Sequence, residues 1–161
     1  MWVVVSIDSN AEDIESGQLK STIDNILASS YETFKIQLNI VEDDVVIPAW
    51  LNEMDEFKVS YNTVMDYGDD TNIIPTLQVI PDLSDCLILA VDVWSEGLIE
   101  KHVEAREGNE DAVVFDGENI SFIRNFASDE DVFASIEGVD GNAEDNLKEY
   151  FIDKGRTILT I

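Results

Sequence analysis

The sequence contains a single cysteine, Cys86, and a single histidine, His102. One thiol cannot form a disulfide within the chain, and it cannot supply the several thiolates of a structural zinc site. One imidazole leaves little for histidine-based catalysis or metal binding, and we interpret His102 as an exposed or half-buried residue in the middle of a helix. No run of about 18 uncharged apolar residues is present, which predicts that the chain has no membrane span.

Basic residues are also scarce. Lysine and arginine total 9 against 35 aspartate and glutamate residues, which gives a formal net charge of −26. The basic residues are scattered, so the sequence predicts no direct binding to the phosphate backbone of nucleic acids. An acidic surface also repels anionic membranes and anionic substrates unless a cation mediates the contact. The acid excess is typical of a solvated surface, of adaptation to high salt, or of an interaction protein that mimics the charge of nucleic acid and binds a basic protein partner.

With 161 residues, of which 45% are hydrophobic, the chain is long enough to bury one core. No linker or low-complexity segment interrupts it, so we expect a single domain over residues 1–161. The apolar start, residues 1–7, has no basic segment before it and favours a strand over a signal peptide. Together with the single cysteine, this predicts a cytoplasmic protein, located in the host cytoplasm if the chain is viral.

Hydrophobic periodicity predicts strands alternating with helices. Strands are predicted over about residues 2–7, 34–40, 57–61, 86–91, 112–115, 120–123 and 157–161. Helices are predicted over about residues 12–29, 48–54, 73–79, 95–106 and 142–154, and residues 126–141 are predicted to be irregular. This alternation predicts an α/β fold, a three-layer α/β/α sandwich with a mostly parallel central sheet. We expect the strand at 86–91 to be central because its residues are apolar on both faces.

Ligands of open α/β sheets bind outside the carboxyl ends of the strands. The predicted strands place three segments together at that edge: residues 6–8, the loop at 62–72, and residues 92–94. We therefore expect any functional site at this edge.

At these positions the chain resembles the small nucleotide-sugar glycosyltransferases of the GT-A fold that occur in bacteria and large viruses. The segments that carry the resemblance are 19–27 (LKSTIDNIL), 35–40 (KIQLNI), 47–51 (IPAWL), 66–77 (DYGDDTNIIPTL), and the last helix and strand over 144–159. The segment at 66–77 is the most specific. The resemblance implies the GT-A fold, a nucleotide-diphosphate sugar as donor, and transfer of the sugar to a hydroxyl acceptor.

The resemblance also implies a set of site residues. Those for the nucleotide sugar are Ser6, Asp8, Asp66, Tyr67, Gly68, Thr71 and Asn72. For Asp66 and Tyr67 the alternative is an Asx-type turn before Gly68. Asp145 falls where the family has an acidic residue near the acceptor, and it is a candidate general base. The alternative for Asp145 is a first-turn residue that the helix dipole favours.

The metal motif of the family is incomplete in this chain. The family holds Mn²⁺ or Mg²⁺ with an Asp-x-Asp cluster, because a hard dication needs several oxygen ligands. Here the corresponding residues are Asp92, Val93 and Trp94, so Asp92 is the one candidate metal ligand. Trp94 either fills the space of the metal and diphosphate or packs on the following helix. The family's phosphate-contacting lysine is replaced by Asn72.

Two functions are consistent with this sequence. The first is a glycosyltransferase whose dependence on Mn²⁺ or Mg²⁺ is weakened or lost. The second is a catalytically silent relative that acts as an acidic interaction protein, because a fold can persist after the chemistry of its site is lost.

Overall fold

The computed structural model describes residues 3–89 and 94–161, in which seven strands form one sheet. The strands are β1 (Val3–Ser9), β2 (Phe34–Val41), β3 (Val59–Val64), β4 (Asp85–Ile88), β5 (Val113–Phe115), β6 (Ile120–Ile123) and β7 (Ile158–Thr160). Their order across the sheet is β3-β2-β1-β4-β6-β5-β7. Strand β4 is thus the middle strand, which confirms the expectation for the apolar run that begins at Cys86. Residues 90 and 91 of that predicted strand lie outside the described residues.

Pairing in the sheet is mostly parallel. Strand β1 pairs in parallel with β2 and β4, β2 with β3, and β5 with β7. Strand β6 alone among the described strands runs the other way, antiparallel to β4 and β5. Strands β5 and β6, which follow one another in the chain, thus form a hairpin.

Helices cover both faces of the sheet. They are α1 (Ala11–Glu15), α2 (Gln18–Leu27), α3 (Ala49–Asn52), α4 (Ile74–Val79), α5 (Leu98–Ala105), α6 (Asp129–Ile136) and α7 (Ala143–Asp153). One core packs α2, α3 and α5 on the first face, and a second core packs α4, α6 and α7 on the other. In β4, Leu87 belongs to the first core, and its neighbours Cys86 and Ile88 belong to the second. The three-layer α/β/α prediction is confirmed.

The helix predicted over residues 12–29 is broken in two. Gly17 has a φ of +81°, a left-handed conformation that is strained for residues with a side chain, and it separates α1 from α2. Helix α1 begins with a capping box, in which Asn10 Oδ1 accepts the N–H of Asp13 and the Asp13 carboxylate accepts the N–H of Asn10. The apolar stripe of α2 continues as predicted, with Leu19, Ile23 and Ile26 buried.

The prediction that residues 126–141 are irregular is wrong, because they contain α6. The side chain of Ser128 caps this helix by accepting the N–H of Asp131. Three acidic residues fill its first turn, where the helix dipole stabilises negative charge. Val132 and Ile136, four residues apart, are buried against the second core. The acidic residues at positions 129–131 therefore belong to the first turn of a helix and not to an irregular segment.

The chain path creates a topological switch point beside β1. From β1 the chain moves outward through β2 and β3, and then returns to the opposite side of β1 to form β4. Connections leave in opposite directions from the carboxyl ends of β1 and β4, and open α/β sheets bind ligands at such a switch point. None of the helices in residues 3–89 and 94–161 combines the length and the apolar character that crossing a membrane requires.

Candidate functional site

A cleft of about 430 Å³ lies at the carboxyl ends of β1 and β2. It opens between the start of α1 and the loop that precedes α4. Its lining includes four acidic residues, Asp8, Glu12, Asp43 and Asp66. Ser9, Asn10, Ala11, Val41, Gly68 and Thr71 complete the lining. No lysine or arginine of the described residues lines the cleft, so its potential is strongly negative.

The loop before α4 is held by hydrogen bonds within itself. The N–H of Gly68 donates to Asp66 Oδ1 at 2.7 Å, which is the Asx-type turn considered above. The Thr71 hydroxyl donates to the carbonyl of Gly68 at 2.8 Å and accepts the N–H of Tyr67 at 3.0 Å. The ring of Tyr67 packs edge-on against Phe133 of α6, with centroids 6.1 Å apart. These contacts fix the wall of the cleft that carries Asp66.

A buried chain of hydrogen bonds connects this loop to the sheet. Asn39 Nδ2 donates to Thr76 Oγ1 at 2.8 Å, and Thr76 lies 2.6 Å from the hydroxyl of Ser6. Ser6 Oγ donates to the carbonyl of Asn72 at 2.5 Å. Because a hydroxyl has one proton, Thr76 must be the donor to Ser6. All four residues are buried, and the chain of bonds joins β1, β2 and α4 beneath the cleft.

Asn72 also connects the end of β4 to α7. Its Nδ2 donates to the carbonyl of Leu89 at 2.7 Å and to Oε1 of Glu144 at 3.2 Å. Glu144 lies in the first turn of α7 and is 5% exposed. Burial raises the pKa of this carboxyl, and the charges of Asp8 and Asp145 raise it further, against the lowering effect of its own backbone N–H and of Asn72.

Asp8, near the end of β1, is the second perturbed carboxyl at this edge. Burial, more than any other effect, raises its pKa from 3.8 to about 6. Asp13, Asp69 and Asp66 raise it further by repulsion, and a backbone hydrogen bond lowers it. Asp8 and Glu144 are thus two carboxyl groups at this edge of the sheet whose pKa values are raised mainly by burial.

This arrangement occurs in a fold that other solved proteins share. A Desulfovibrio desulfuricans G20 protein proposed to be a nucleotide-diphospho-sugar transferase matches 100% of this chain with 80% of its own, at a TM-score of 0.64 and 11% identity. The fold is that of the nucleotide-diphospho-sugar transferases. No protein-family model and no curated protein matches the chain in sequence.

Two longer transferases show the same likeness. The apo-form glycosyltransferase GlyE of Streptococcus pneumoniae TIGR4 matches 98% of this chain, at a TM-score of 0.65 and 12% identity. The mannosyltransferase PcManGT of Pyrobaculum calidifontis, solved with GDP-Man and Mn²⁺, matches 99% of this chain, at a TM-score of 0.64 and 12% identity. This chain spans 44% and 53% of their respective lengths.

The predicted site residues that the structure describes fall into three groups according to where they lie in this fold. Asp8, Asp66, Gly68 and Thr71 line one cleft. Ser6, Tyr67 and Asn72 support it from below and behind, and the hydrogen-bonding groups of Ser6 and the Asn72 amide nitrogen are engaged within the protein. Asp145 is exposed in the first turn of α7, where its N–H donates to Asn142 Oδ1 at 2.7 Å. Asp92 lies outside the described residues.

Sequence reasoning missed Glu144. It lies three residues before Leu147 and seven before Phe151, both of which are fully buried. This spacing puts Glu144 on the apolar face of the helix, and a carboxylate on such a face is an informative exception to the pattern. The same reasoning had concentrated on Asp145, which lies on the exposed side.

The interpretation of His102 as exposed or half-buried is wrong. The residue is 2% exposed, and its side chain extends from α5 to the β5–β6 hairpin. Its Nδ1 is 2.9 Å from Ser121 Oγ, and its Nε2 is 3.3 Å from Asp116 Oδ2. Asp116 also accepts the backbone N–H groups of Glu118 and Asn119, so His102 holds the hairpin turn in place.

The described carboxylates do not by themselves fit a metal. Residues 3–89 and 94–161 contain no group of three or more histidine, cysteine, aspartate or glutamate side chains placed to hold an ion. Trp94 packs against the core on the α2 and α5 face, as its packing interpretation requires. The described part of the chain therefore offers no ready site for Mn²⁺ or Mg²⁺.

Proposed function

We propose that the chain binds a nucleotide-diphosphate sugar in the acidic cleft and transfers the sugar to a hydroxyl acceptor. The observation that carries the proposal is the polar cleft at the carboxyl ends of β1 and β2, next to the switch point at β1, in a fold that a nucleotide-diphospho-sugar transferase-like protein shares over the whole of this chain. Ligands of open α/β sheets bind at this position for topological reasons. The residues named for the nucleotide sugar lie in the cleft or directly support its wall.

In the proposed reaction, the bond between the anomeric carbon and the donor's phosphate oxygen breaks, and the nucleoside diphosphate leaves. The acceptor oxygen forms the new bond to the anomeric carbon and loses its proton. Asp145 is the proposed base, since its carboxylate is exposed in the first turn of α7, next to Glu144 in sequence. Glu144 is proposed to hold the first turn of α7 against Asn72, which fixes the direction of Asp145.

Charge is the main obstacle to this function. The donor's diphosphate brings two negative charges to an edge that already carries Asp8 and Asp66. A pair of like charges about 4 Å apart repels by roughly 1–4 kcal/mol near a protein surface. Asp92 is the one carboxylate proposed as a ligand for Mn²⁺ or Mg²⁺, so we propose that metal dependence is weak or lost.

Calorimetric titration with UDP-glucose and with GDP-mannose, each with manganese and with a chelator, tests the proposal. We expect one donor to bind both with manganese and with the chelator. We also expect the bond between its sugar and its diphosphate to be cleaved slowly, which releases the sugar. Asp145→Asn should reduce the release rate with little change in donor affinity. Asp153→Asn, at the exposed far end of the same helix, is the matched control and should change neither quantity.

A second candidate function is favoured by the lining of the cleft. Four carboxylates without a basic residue among the described lining residues fit a cationic partner better than a free anion. If neither donor binds and an oligolysine peptide does, the chain is a silent relative that acts as an acidic interaction protein.

A further inference from the structure

The edge strand β3 lacks the features that keep the edge of a sheet from pairing with another chain. Among the described strands it pairs with β2 alone, and it is the last strand on its side of the sheet. Exposed edges are commonly protected by charged side chains, by proline or by a short strand. The opposite edge, β7, is three residues long, whereas β3 has six residues and contains no charge and no proline. Strand β3 is therefore the edge of this sheet that is open to a further strand.

The backbone groups on the free side of β3 follow from its pairing with β2. The carbonyl of Lys58 accepts the N–H of Ile36 at 2.8 Å, and the carbonyl of Val64 accepts the N–H of Glu42 at 2.9 Å. In a trans peptide the N–H of the next residue points the opposite way, and along a strand the pattern repeats every second residue. The free side therefore presents three N–H groups, those of Tyr61, Thr63 and Met65, and three C=O groups, those of Val59, Tyr61 and Thr63.

These six groups are complementary to themselves in one antiparallel register. When β3 lies beside β3 of a second copy with Asn62 opposite Asn62, Tyr61 lies opposite Thr63. The N–H and C=O groups of these two residues then bond one another in both directions. The N–H of Met65 meets the carbonyl of Val59. Every outward donor of one copy thus has an outward acceptor on the other.

The residues that flank β3 favour the same register. Lys58 comes opposite Asp66 of the second copy, so the basic residue before the strand meets an acidic residue after it. Shifting the register by one step places one of the outward groups opposite Phe57 or Tyr67, which lie outside the strand. Backbone and charge complementarity therefore both indicate pairing centred on Asn62.

We propose that the chain forms a dimer by antiparallel pairing of β3 with β3 of a second copy. The two-fold axis is perpendicular to the sheet, because residues that lie opposite one another then share a face, and the two sheets become continuous. An interface built on six residues from each copy is small, so the dimer is weak and reversible. Each copy has a formal net charge of −26, so added salt should strengthen association by screening the repulsion between copies.

Sedimentation equilibrium of the full chain, up to millimolar concentration and at low and high sodium chloride, tests the proposal. We expect a monomer–dimer equilibrium whose dissociation constant falls as salt rises. Thr63→Pro removes one outward N–H from each copy, and an edge strand tolerates proline where the N–H faces away from the sheet. The dissociation constant should rise by about tenfold or more, since two backbone hydrogen bonds are lost from the dimer.

Thr160→Pro is the matched control at the other edge of the sheet. The carbonyl of Thr157 accepts the N–H of Val113, and the N–H of Ile161 donates to the carbonyl of Phe115. Residues 157 and 161 therefore face β5, and the N–H of residue 160 points away from it. The variant removes an outward N–H from β7 and should leave the dissociation constant unchanged.

Single cysteines test the register. The natural Cys86 is 0% exposed, so an introduced cysteine is the accessible thiol. Asn62→Cys should form a disulfide between copies when the protein is oxidised with diamide, because directly opposite Cβ atoms lie about 4.5–5.5 Å apart. Ser60→Cys, on the same face of β3, is the control and should not, because its two copies are offset by four residues, or about 13 Å.

A dimer that Thr63→Pro weakens and Thr160→Pro does not, with a disulfide in Asn62→Cys and none in Ser60→Cys, supports the proposal. If Thr63→Pro fails to fold, the two cysteine variants decide it. A chain that stays monomeric at every concentration and salt overturns the proposal and leaves the edge to a different partner. A dimer that persists in folded Thr63→Pro, or a disulfide in Ser60→Cys and not in Asn62→Cys, overturns this interface. No sugar donor is used, so the result is independent of the proposed function.

Discussion

Asn72 Nδ2 donates to Glu144 Oε1 at 3.2 Å while it also donates to the carbonyl of Leu89 at 2.7 Å. One amide nitrogen thereby joins the loop before α4, the end of β4 and the first turn of α7. These three segments come from separate parts of the chain and meet at Asn72. Asn72 therefore helps to hold the first turn of α7 in place against the end of β4.

Replacement of Asn72 should therefore destabilise the protein. Asn72→Ala removes the amide donor to the buried Leu89 carbonyl and one of the donors to the Glu144 carboxylate, which should lower the free energy of unfolding by about 1–3 kcal/mol. Urea denaturation followed by circular dichroism measures the change. Asn25→Ala, on the exposed face of α2, is the control and should change stability by about 0.5 kcal/mol or less. Equal stability of the two variants would show that the amide bonds contribute nothing.

Asp8→Asn should stabilise the protein at neutral pH. The folded pKa of Asp8 is about 6 against 3.8 when unfolded, so the folded state binds more protons between these values and stability falls as pH rises through this window. Above about pH 6 the charged Asp8 carboxylate lowers the free energy of unfolding by roughly 1–3 kcal/mol, and the neutral amide of the variant avoids this loss. Urea denaturation should show a gain for the variant at about pH 8 and little difference at about pH 4. A variant that is less stable at both pH values contradicts the assignment.

His102 should contribute the opposite pH dependence. Burial lowers its pKa below 6.5, against the raising effect of its hydrogen bond to Asp116 and of that residue's charge. The unfolded state then binds a proton on His102 more readily than the folded state does. The contribution of His102 to the free energy of unfolding is therefore complete above about pH 6.5 and is lost as pH falls below that value. Because the chain has one histidine, its ring protons give an isolated NMR titration. Asp116→Asn should lower the midpoint further, and a natural midpoint above 6.5 would refute the prediction.

The buried ion pair of Asp85 and Arg106 should matter for stability and not for binding. Their side chains are 1% and 2% exposed, and they meet at the amino end of β4, the edge opposite the cleft. Asp85→Ala leaves a buried guanidinium without its partner and should cost about 3–5 kcal/mol. The double variant Asp85→Leu with Arg106→Met should recover most of this loss in a urea denaturation series.

The double variant at Asp85 and Arg106 also serves as a control for donor binding at the cleft. Donor affinity of the folded double variant should equal that of the natural chain, because the substitutions lie at the other end of β4. A large change in affinity would mean that global stability, and not the local geometry of the cleft, controls binding.

The fold was predictable because its signals are local. Alternation in residues 34–40 and the apolar run from Cys86 each require only the neighbouring side chains to be recognised. Where prediction failed, a competing local feature was overlooked. Gly17 interrupts an otherwise continuous helical stripe, and the cap formed by Ser128 turns an acidic segment into α6.

The candidate site was predictable only in part. Residues at strand ends, such as Asp8 and Asp66, follow from the strand positions and lie together as expected. Glu144 and His102 acquire their environments from segments distant in sequence. Helical spacing places Glu144 on the apolar face of α7, but it does not identify the groups that surround its carboxylate. Residue type and spacing show which chemical groups are present, but they do not show which of these groups become buried in the folded protein.

By itself, the sequence determined the order of the strands along the chain and the layer architecture, because hydrophobic periodicity is a local property of the chain. Only the tertiary structure decided that Glu144 is buried, that Asn72 lies between Glu144 and the end of β4, and that the cleft is acidic. The physical reason is that charge and proton affinity depend on distance and burial, which folding sets among residues far apart in sequence.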